Sequence, residues 1–562
     1  MASGRVDNRA ELCQALQIPL VEQESVSDRR LLEIAHATWG ENAPIRIYGD
    51  WFLAVWHPEQ HRLFLARDHF GSTALYYLST PQLFAFATSR QPLLALAPKI
   101  DLDELYLAQL LISWPACQGE RTIHSPIKRL PPAHCLTLTP QSMTVRCYWR
   151  LEETPVLRLK RREEYLEGFI DVFDESVRCR LRTDFATDPP QRLGCTLSGG
   201  LDSGAVAVTA AAMLAPQGRR LSAYTSIPIS SPACYVGTRF GDEFPLAQSV
   251  ANYAKTIDLQ PIDAADCTPI TGIRQMLAIL REPSHAACNF FWMLDLFRTA
   301  YEQGCRVLLT GQWGNAGFSW EGNIISQPLW YQLKRLGLES MTKMHVKRLA
   351  PQSLLSTWRR LNGGNKVGPR MTAVHLDFAR RIKLFEQRLA DPAERVPRNG
   401  LEGRFRFLLP GRANVGCLYA ALHQAIGVEA RDPTADARLL AYTVSTPDWV
   451  FTDPTTGMDR WLARKAMVGR LPDEVRLNKQ RGRQAGDLVP RLRACGAEVE
   501  QALGELASGP AAEYLDVSYM RDVWRKVQSE DTAEAFRLAV TVLTRGIMCG
   551  LFVNGFYDGT YR

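Results

Sequence analysis

Several things are missing from this chain of 562 residues, and each absence narrows what it does. Its thirteen cysteines are odd in number and scattered, with no C-x-x-C pair. That argues against zinc ribbons and disulfide frameworks and fits a reducing cytoplasm. No apolar run is long enough to span a bilayer. The most apolar late segment, Leu538 to Phe552, is short and carries Arg545 in its middle, so a core helix is expected. No secretory signal opens the chain, because Met1-Ala2-Ser3-Gly4-Arg5 leads into polar and charged residues. A strong charge of one sign is lacking too: +7 is mild for this length and does not by itself imply nucleic acid. The balance, 46% apolar and 22% charged, is that of an ordinary globular chain long enough for two or three domains.

The phosphate loop G-x-x-x-x-G-K-[ST] is also absent. In its place stands Ser198-Gly199-Gly200-Leu201-Asp202-Ser203. An apolar run of strand type, Arg192 to Leu197, precedes it, and Gly204 to Leu214 follows with the composition of a buried helix. Strand, glycine turn and helix aim backbone N–H groups and the positive helix end at an anion. The glycines admit close approach, and Ser198 and Ser203 add hydroxyl donors. Asp202 is a carboxylate beside that anion, which requires a bridging cation, usually Mg²⁺. The hexapeptide resembles the PP-loop of ATP pyrophosphatases, which cleave ATP between the α and β phosphates. The resemblance implies transfer of AMP to a substrate, with ATP and Mg²⁺ as cofactors.

Before this loop the chain reads differently. Residues 1–50 are moderately helical. Then come short β-type runs, Trp51–Trp56, Arg62–Asp68, Ala74–Leu78 and Leu83–Ala87, which predict a meander of antiparallel strands. Leu102 to Trp114 reads as a helix, and Pro126 to Trp149 as further strand and loop. Gly49-Asp50-Trp51-Phe52-Leu53-Ala54-Val55-Trp56, Ala66-Arg67-Asp68-His69-Phe70-Gly71, Leu75-Tyr76-Tyr77 and Ile127 to His134 with Tyr148-Trp149 resemble the class II glutamine amidotransferase domain of asparagine synthetases. In that family a terminal cysteine attacks glutamine, with its own α-amine as base. Here Ala2 and Ser3 stand at the start, Cys13 is not terminal, and the family's glutamine-binding segments are missing from residues 1–50. A structural, non-hydrolysing domain is therefore expected over 1–155.

From about 156 to 562 a second domain is expected. Arg161 to Arg182 forms a charged amphipathic helix with a Pro-rich exit at Asp188-Pro189-Pro190. Strands Leu193–Leu197, Leu221–Ile227 and Arg306–Thr310 alternate with helices over 204–215, 243–254, 270–280 and 290–303. That alternation predicts a parallel sheet flanked by helices, with ligands at the carboxyl ends of the strands. The fold expected is thus α/β: an N-terminal antiparallel β-rich amidotransferase-like domain of Ntn type, then a PP-loop domain. Asparagine synthetases share further motifs. Gly241-Asp242-Glu243-Phe244-Pro245-Leu246-Ala247 resembles their D-E-x-x-x-A stretch, either a helix start carrying stabilising acids or a direct ligand, and Glu282-Pro283 also recurs in them.

Thr310-Gly311-Gln312-Trp313-Gly314-Asn315 occupies the place of a [ST]-G-x-G-x-D turn, whose aspartate supports the metal and whose residue after the first glycine is catalytic. This chain departs at both positions, with Gln312 and Asn315. An amide is no general base near neutral pH, and Asn is a weaker Mg²⁺ ligand than Asp. The departure resembles the lasso-peptide macrolactam cyclases. Gly427-Val428-Glu429-Ala430-Arg431-Asp432-Pro433 matches the family's G-V-E-x-R-x-P signature, so Glu429 either handles the attacking amine or forms a structural pair with an arginine. Asn478 to Gln484 holds the place of the catalytic lysine, which Lys479 or Arg481 fills.

The resemblance assigns nucleotide contacts to Leu197, Ser198, Gly199, Gly200, Leu201, Asp202, Ser203, Ser226 and Gly311, and the metal to Asp202 and Asn315. It assigns catalysis to Lys479, Glu429, Gln312 and Arg481. Residues 333–370 remain, with Lys334, Arg335, Lys343, Lys347, Arg348, Arg359, Arg360, Lys366 and Arg370 against the single acid Glu339, and Gly363-Gly364-Asn365 within the run. They read as a solvated helical face or a mobile basic lid over a peptide; only Trp358 supplies an aromatic in the middle, so nucleic acid comes third. Together the motifs imply a lasso-type cyclase. It joins a peptide's Asp or Glu side chain to its N-terminal amine, with a precursor peptide, a leader peptidase and a leader-binding protein as partners. Another asparagine- or β-lactam-forming ligase, or a non-catalytic scaffold for a precursor peptide, are the alternatives.

Overall fold

The computed structural model describes residues 1–112, 119–183, 191–351, 354, 371–391, 400–408 and 415–562. The expected features at Trp114, at Asp188-Pro189-Pro190 and at Trp358, Arg359, Arg360, Gly363-Gly364-Asn365, Lys366 and Arg370 lie outside these residues.

The first 150 residues build two antiparallel sheets. One has the order β1 (Ala2–Val6), β2 (Gly49–His57), β3 (Arg62–Arg67), β7 (His134–Leu138), β8 (Met143–Cys147). The other has β5 (Phe84–Ala87), β4 (Tyr76–Ser79), β6 (Ile127–Arg129). The runs expected as a single meander therefore part company after β3. The reason lies in burial. Trp51, Leu53, Phe64 and Ala66 pack with Leu31, Leu32 and Ala35 of the helix Asp28–Trp39, while Phe52, Ala54 and Leu65 pack with Leu75 and Tyr77 of the second sheet. A strand buried on both faces loses polar alternation, which is why β2 reads as a continuous apolar run. The opening residues also form a strand inside a region expected to be helical. β1 pairs antiparallel with β2, Ala2 against Leu53 and Val6 against Gly49.

The rest of the chain surrounds a five-stranded parallel sheet, β11 (Ile257–Ile262), β10 (Leu221–Ser226), β9 (Arg192–Thr196), β12 (Cys305–Leu309), β13 (Glu429–Arg431). Two of these strands had no sequence signal. β11 carries Asp258, Gln260 and Pro261, as an edge strand can, and β13 is three residues long. One face is covered by the helices Arg162–Arg178, Leu201–Leu214 and Phe244–Ala254, the other by Pro269–Leu280 and Phe290–Glu302. The last two lie so close that a Cβ on Gly272 would fall 2.7 Å from the Phe291 backbone. From β9 the chain winds outward through β10 and β11, then returns to β12 on the other side of β9. The loops after β9 and β12 consequently diverge at a switch point, where such sheets bind ligands.

The late apolar segment extends further than expected. Helical backbone runs over Ala533–Tyr557, 25 residues, with a π-helical turn at Ala539–Thr544. By length and composition it is able to cross a membrane, but 78% of its apolar window is buried inside the fold, so it serves as a core helix. The twelve described cysteines are all free.

The two parts meet through buried charge. Arg5 pairs with Asp7 (2.6 Å) and Asp50 (2.7 Å) and reaches Glu429 (3.4 Å). Arg180 pairs with Asp436 (2.7 Å) and Asp7 (3.4 Å), and Arg438 adds a second partner for Asp436 (2.8 Å). Asp7, Cys179 and Asp436 converge closely enough for a metal, but these arginines already neutralise the two carboxylates. Burial alone would raise the Asp436 carboxyl; Arg180 and Arg438 hold it well below the ordinary carboxylate range instead. Removing one partner of such a pair leaves buried charge uncompensated. Asp436→Asn is therefore expected to cost about 3–5 kcal/mol in urea unfolding, and a loss under about 1 kcal/mol would contradict a buried network.

Candidate functional site

β9 ends at Thr196 and the next helix begins at Leu201, so Leu197 to Gly200 make the turn. Two hydroxyls brace it. The Ser198 N–H donates to Ser203 Oγ (3.1 Å), the two hydroxyls share a 2.8 Å hydrogen bond, and the Gly200 N–H donates to Ser198 Oγ (3.2 Å). Gly199 is needed for space, since a Cβ there would lie 2.9 Å from Leu246. The first helical turn thereby faces the opening with its N–H groups, as anion binding requires.

The turn after β12 presses on Asp202 from the other side. A Cβ on Gly314 would fall 2.2 Å from Asp202 Cγ, and one on Gly311 would fall 2.9 Å from the Asp202 carbonyl carbon. Asp432 clamps this turn, accepting from the Gln312 N–H (2.9 Å) and the Trp313 N–H (3.0 Å) with one oxygen and from the Thr434 hydroxyl (2.6 Å) with the other. Asp202 is buried, and its Oδ1 has no hydrogen-bond partner among the described residues. Burial raises its carboxyl to about 6, against the opposing pull of Ser319, Arg460 and Arg481. An orphaned, buried carboxylate oxygen beside an anion loop fits a divalent cation, so the donor set is suited to Mg²⁺.

Between the two turns opens a cavity of about 310 Å³. Leu197, Ser198, Ser203, Ser226, Gly311 and Gln312 line it, so six of the expected residues share one space. The opposite wall is apolar and aromatic, with Trp292, Met293, Leu296 and Phe297 from one helix and Leu418 and Tyr419 from the helix Val415–Ile426. Tyr419 donates its hydroxyl to Gln312 Oε1 at 2.5 Å. Glu282 lies on the wall too, ion-paired with Arg90 of the N-terminal part at 2.6 Å.

Residues 168–551 match the family model described as asparagine synthase, more than half of the chain. The chain belongs to the asparagine synthase family. Residues 1–149 match the glutamine amidotransferase domain model. Among curated relatives from Bacillus subtilis (strain 168), asparagine synthetase [glutamine-hydrolyzing] 3 is 26% identical over 226 residues, 39% of this chain and 34% of the relative. Asparagine synthetase [glutamine-hydrolyzing] 2 is 23% identical over 499 residues, 84% of this chain and 60% of the relative. The match thus spans between a third and three fifths of these relatives' own length. A solved glutamine phosphoribosylpyrophosphate amidotransferase from B. subtilis aligns at 10% identity over 47% of this chain and 70% of that one, with a TM-score of 0.18, too low to bear on shape.

In this asparagine synthase-family chain Lys479, Arg481, Asn315, Glu429, Gly199, Gly200 and Leu201 do not line the cavity. Lys479 and Arg481 are exposed; Lys479 makes no hydrogen bond or ion pair among the described residues, whereas Arg481 is near enough to depress the Asp202 carboxyl. Asn315 accepts from Arg460 at 3.4 Å, so a guanidinium already faces its amide oxygen. Glu429 is turned away, held by Arg431 through two hydrogen bonds (2.8 and 2.6 Å) and by Arg5; the structural pair accounts for it. Gly199, Gly200 and Leu201 serve through backbone. The stretch 481–487 docks on the rim: Gln484 Oε1 accepts from Asn289 (3.0 Å), and Asp487 accepts from the Ile229 N–H and Arg491, both at 2.8 Å. The described part of the basic run is the helix Leu329–Leu349, broken at Gly337 (φ 74°), with its cations exposed. Sequence reasoning passed over Asp432, Tyr419 and the Trp292–Phe297 face. The last shows helical periodicity alone, which does not distinguish a cavity wall from core.

Asp202 gives a pH-dependent prediction. Its carboxyl is raised from 3.8 to about 6 in the fold, so the folded chain binds a proton that the unfolded chain has released. That stabilisation is complete below about pH 4 and is lost as pH rises through about 6. Asp202→Asn is therefore expected to melt above the wild-type protein at pH 7.5, by roughly 2–3 kcal/mol at about 1.4 kcal/mol per pKa unit, and to match it at pH 4. Added Mg²⁺ and ATP should stabilise only the wild type. Thermal melts across pH 4–8 decide this; a variant weaker at every pH would refute it.

Proposed function

We propose that this protein is an AMP-forming amide ligase, specifically a lasso peptide macrolactam synthetase. It activates an Asp or Glu side-chain carboxylate of a precursor peptide and joins it to that peptide's N-terminal amine, releasing AMP and pyrophosphate. The observation that carries the reading is the pairing of an anion-binding turn with an apolar, aromatic wall across one cavity, with Gln312 between them. Such a wall suits the side chains that flank a carboxylate in a peptide better than a small free amino acid.

Activation is needed because a free carboxylate is a poor acyl donor. The substrate carboxylate attacks the α-phosphorus of ATP, and pyrophosphate departs toward the 198–203 turn. Asp202 would hold Mg²⁺, which when bound would supply charge neutralisation for the phosphates. Arg481 or Lys479 adds positive charge against the leaving group. Gln312 cannot take a proton, but its Oε1 is fixed by Tyr419, which leaves its amide N–H₂ to orient the acyl group. The amine then attacks the acyl carbon and AMP leaves. Holding both ends of one peptide together supplies the effective concentration for closure. A leader peptidase and a leader-binding protein complete the proposed set of partners, and the amidotransferase-like domain is proposed as structural support.

The test is direct. Purified protein receives ATP and Mg²⁺ with either a synthetic linear peptide, carrying a free N-terminal amine and internal Asp and Glu, or L-aspartate. AMP and pyrophosphate should appear in step with a peptide lighter by one water, and Asp202→Ala should abolish both. Turnover of L-aspartate alone would move the assignment to a small-acid ligase, and release of ADP with phosphate would sink it.

A further inference from the structure

The reaction just proposed consumes an amine that is an ammonium ion near neutral pH, so something must hold it and remove a proton. Neither residue at the family's two expected positions is free to do so. Gln312 is an amide, and Glu429 is held by Arg431 and Arg5 and does not line the cavity. The cavity has three carboxylates on its wall, Glu243, Glu282 and Asp487. Glu282 is consumed by Arg90 and Asp487 by Arg491 and a backbone N–H. Glu243 alone of the three has no hydrogen bond or ion pair among the described residues.

Its position is built rather than accidental. Glu243 caps the helix Phe244–Ala254, and its carbonyl lies against Gly199 of the anion turn, 3.4 Å from where a Cβ would stand. On the other side the rim segment closes tightly over the carboxylate: a Cβ on Gly482 would fall 2.1 Å from Glu243 Oε1 and could be admitted only if that side chain moved aside. The segment is stitched there by the Arg483 N–H, which donates to Phe240 O at 2.9 Å. The charged groups around Glu243 leave it unpaired. Asp242 beside it is exposed and of like charge. Arg483 lays its guanidinium over Phe536, 4.9 Å from the ring centre, and Arg481 is exposed. Glu474 is bound to Ser249 on the outer part of the same helix, Asp202 lies within the 198–203 turn, and His285 stands across the cavity with Glu282. The result is a half-buried carboxyl group on the cavity wall with no cation paired to it among the described residues.

We infer that Glu243 is the group that receives the substrate's ammonium and acts as general base for amide formation. The carboxylate takes the first proton from the ammonium. The nitrogen lone pair then forms the N–C bond, the C–O bond to the phosphate of AMP breaks, and AMP leaves with that electron pair. Glu243 passes that first proton to water and then takes the second as the amide forms, so both protons end in solvent. Burial beside Asp242 pushes the Glu243 carboxyl up to about 7, close to the value at which a base works best at neutral pH.

The inference rests on the proposed ligase reaction, and its test separates the two. Wild type and Glu243→Gln are compared in peptide-dependent ATP–pyrophosphate exchange, which needs no amine chemistry, and in ring closure, with the synthetic linear peptide as probe. Exchange should stay within about threefold, while closure should fall by about 10²-fold or more and Glu243→Asp should recover part of it. Wild-type closure should rise with pH through about 7, a step missing from Glu243→Gln. A binding arm compares the peptide with its N-acetylated form in the presence of a non-cleavable ATP analogue. The wild type should prefer the free amine, and Glu243→Gln should erase the preference. Equal loss of exchange and closure, a lowered melting point with both lost, unchanged closure, or a wild type indifferent to acetylation would each overturn the role of Glu243. A wild type that performs no exchange would instead overturn the ligase reading itself.

Discussion

The structure depends on how little room is left around Asp202. Gly314 and Gly311 bring the backbone of the turn after β12 against a carboxylate at the start of the helix after β9. No other residue type fits at Gly314, because any Cβ would overlap the carboxylate itself. The turn must therefore be held from outside, and Asp432 holds it through two backbone N–H groups while the Thr310 N–H donates to the Arg431 carbonyl at 2.9 Å. β13 exists for that purpose: three residues suffice to carry Asp432 past the end of β12. The crowding also keeps the carboxylate dry, which is why its proton affinity rises and why one oxygen remains without a partner.

A second constraint ties the amidotransferase-like part to the cavity. Arg67 is buried and donates to the carbonyls of Thr73, Leu130 and Gly71 (2.9, 2.8 and 2.8 Å), which fixes the Arg67–Thr73 loop. Gly416 sits directly on that loop; a Cβ there would fall 2.0 Å from Gly71 O. Gly416 lies in the first turn of the helix that carries Leu418 and Tyr419 into the cavity wall, and Arg90 reaches across to Glu282. The N-terminal sheets thus brace two sides of the cavity, which is a sufficient physical reason for that part of the fold whatever chemistry it performs.

The portion legible in sequence was the portion written in contiguous residues. Strand, glycine turn and helix at 192–214 form a local pattern, and so do the helices whose apolar residues recur every third or fourth position. The departure at Gln312 and Asn315 was visible for the same reason. What stayed hidden depends on partners distant in the chain. β1 is a strand only because β2 lies beside it, with Gly4 opposite Trp51, 47 positions on. Arg5 and Glu429 meet across 424 positions, and Tyr419 and Gln312 across 107. Whether an acid is paired is only partly visible from its sequence neighbours: Arg431 two positions on already offered Glu429 a partner, whereas nothing near Glu243 in the chain told whether its carboxylate was met.

The acids of this region then sort by how each charge is met. Asp432 is satisfied by backbone N–H groups and a hydroxyl, and Glu282, Glu429 and Asp487 by arginines. Two are left over, Asp202 within the 198–203 turn with an orphaned oxygen and Glu243 beside the turn with no side-chain partner, both among the described residues. Burying a charge unpaired is costly, and a fold that pairs four carboxylates in the same neighbourhood has the means to pair two more. The two exceptions match in number and sign the two cations of the proposed reaction, a divalent metal with the nucleotide and an ammonium with the acceptor. Each stands where its cation would arrive, one within the anion turn and one facing the open cavity, so that substrate and metal themselves complete the electrostatics that the chain leaves unfinished.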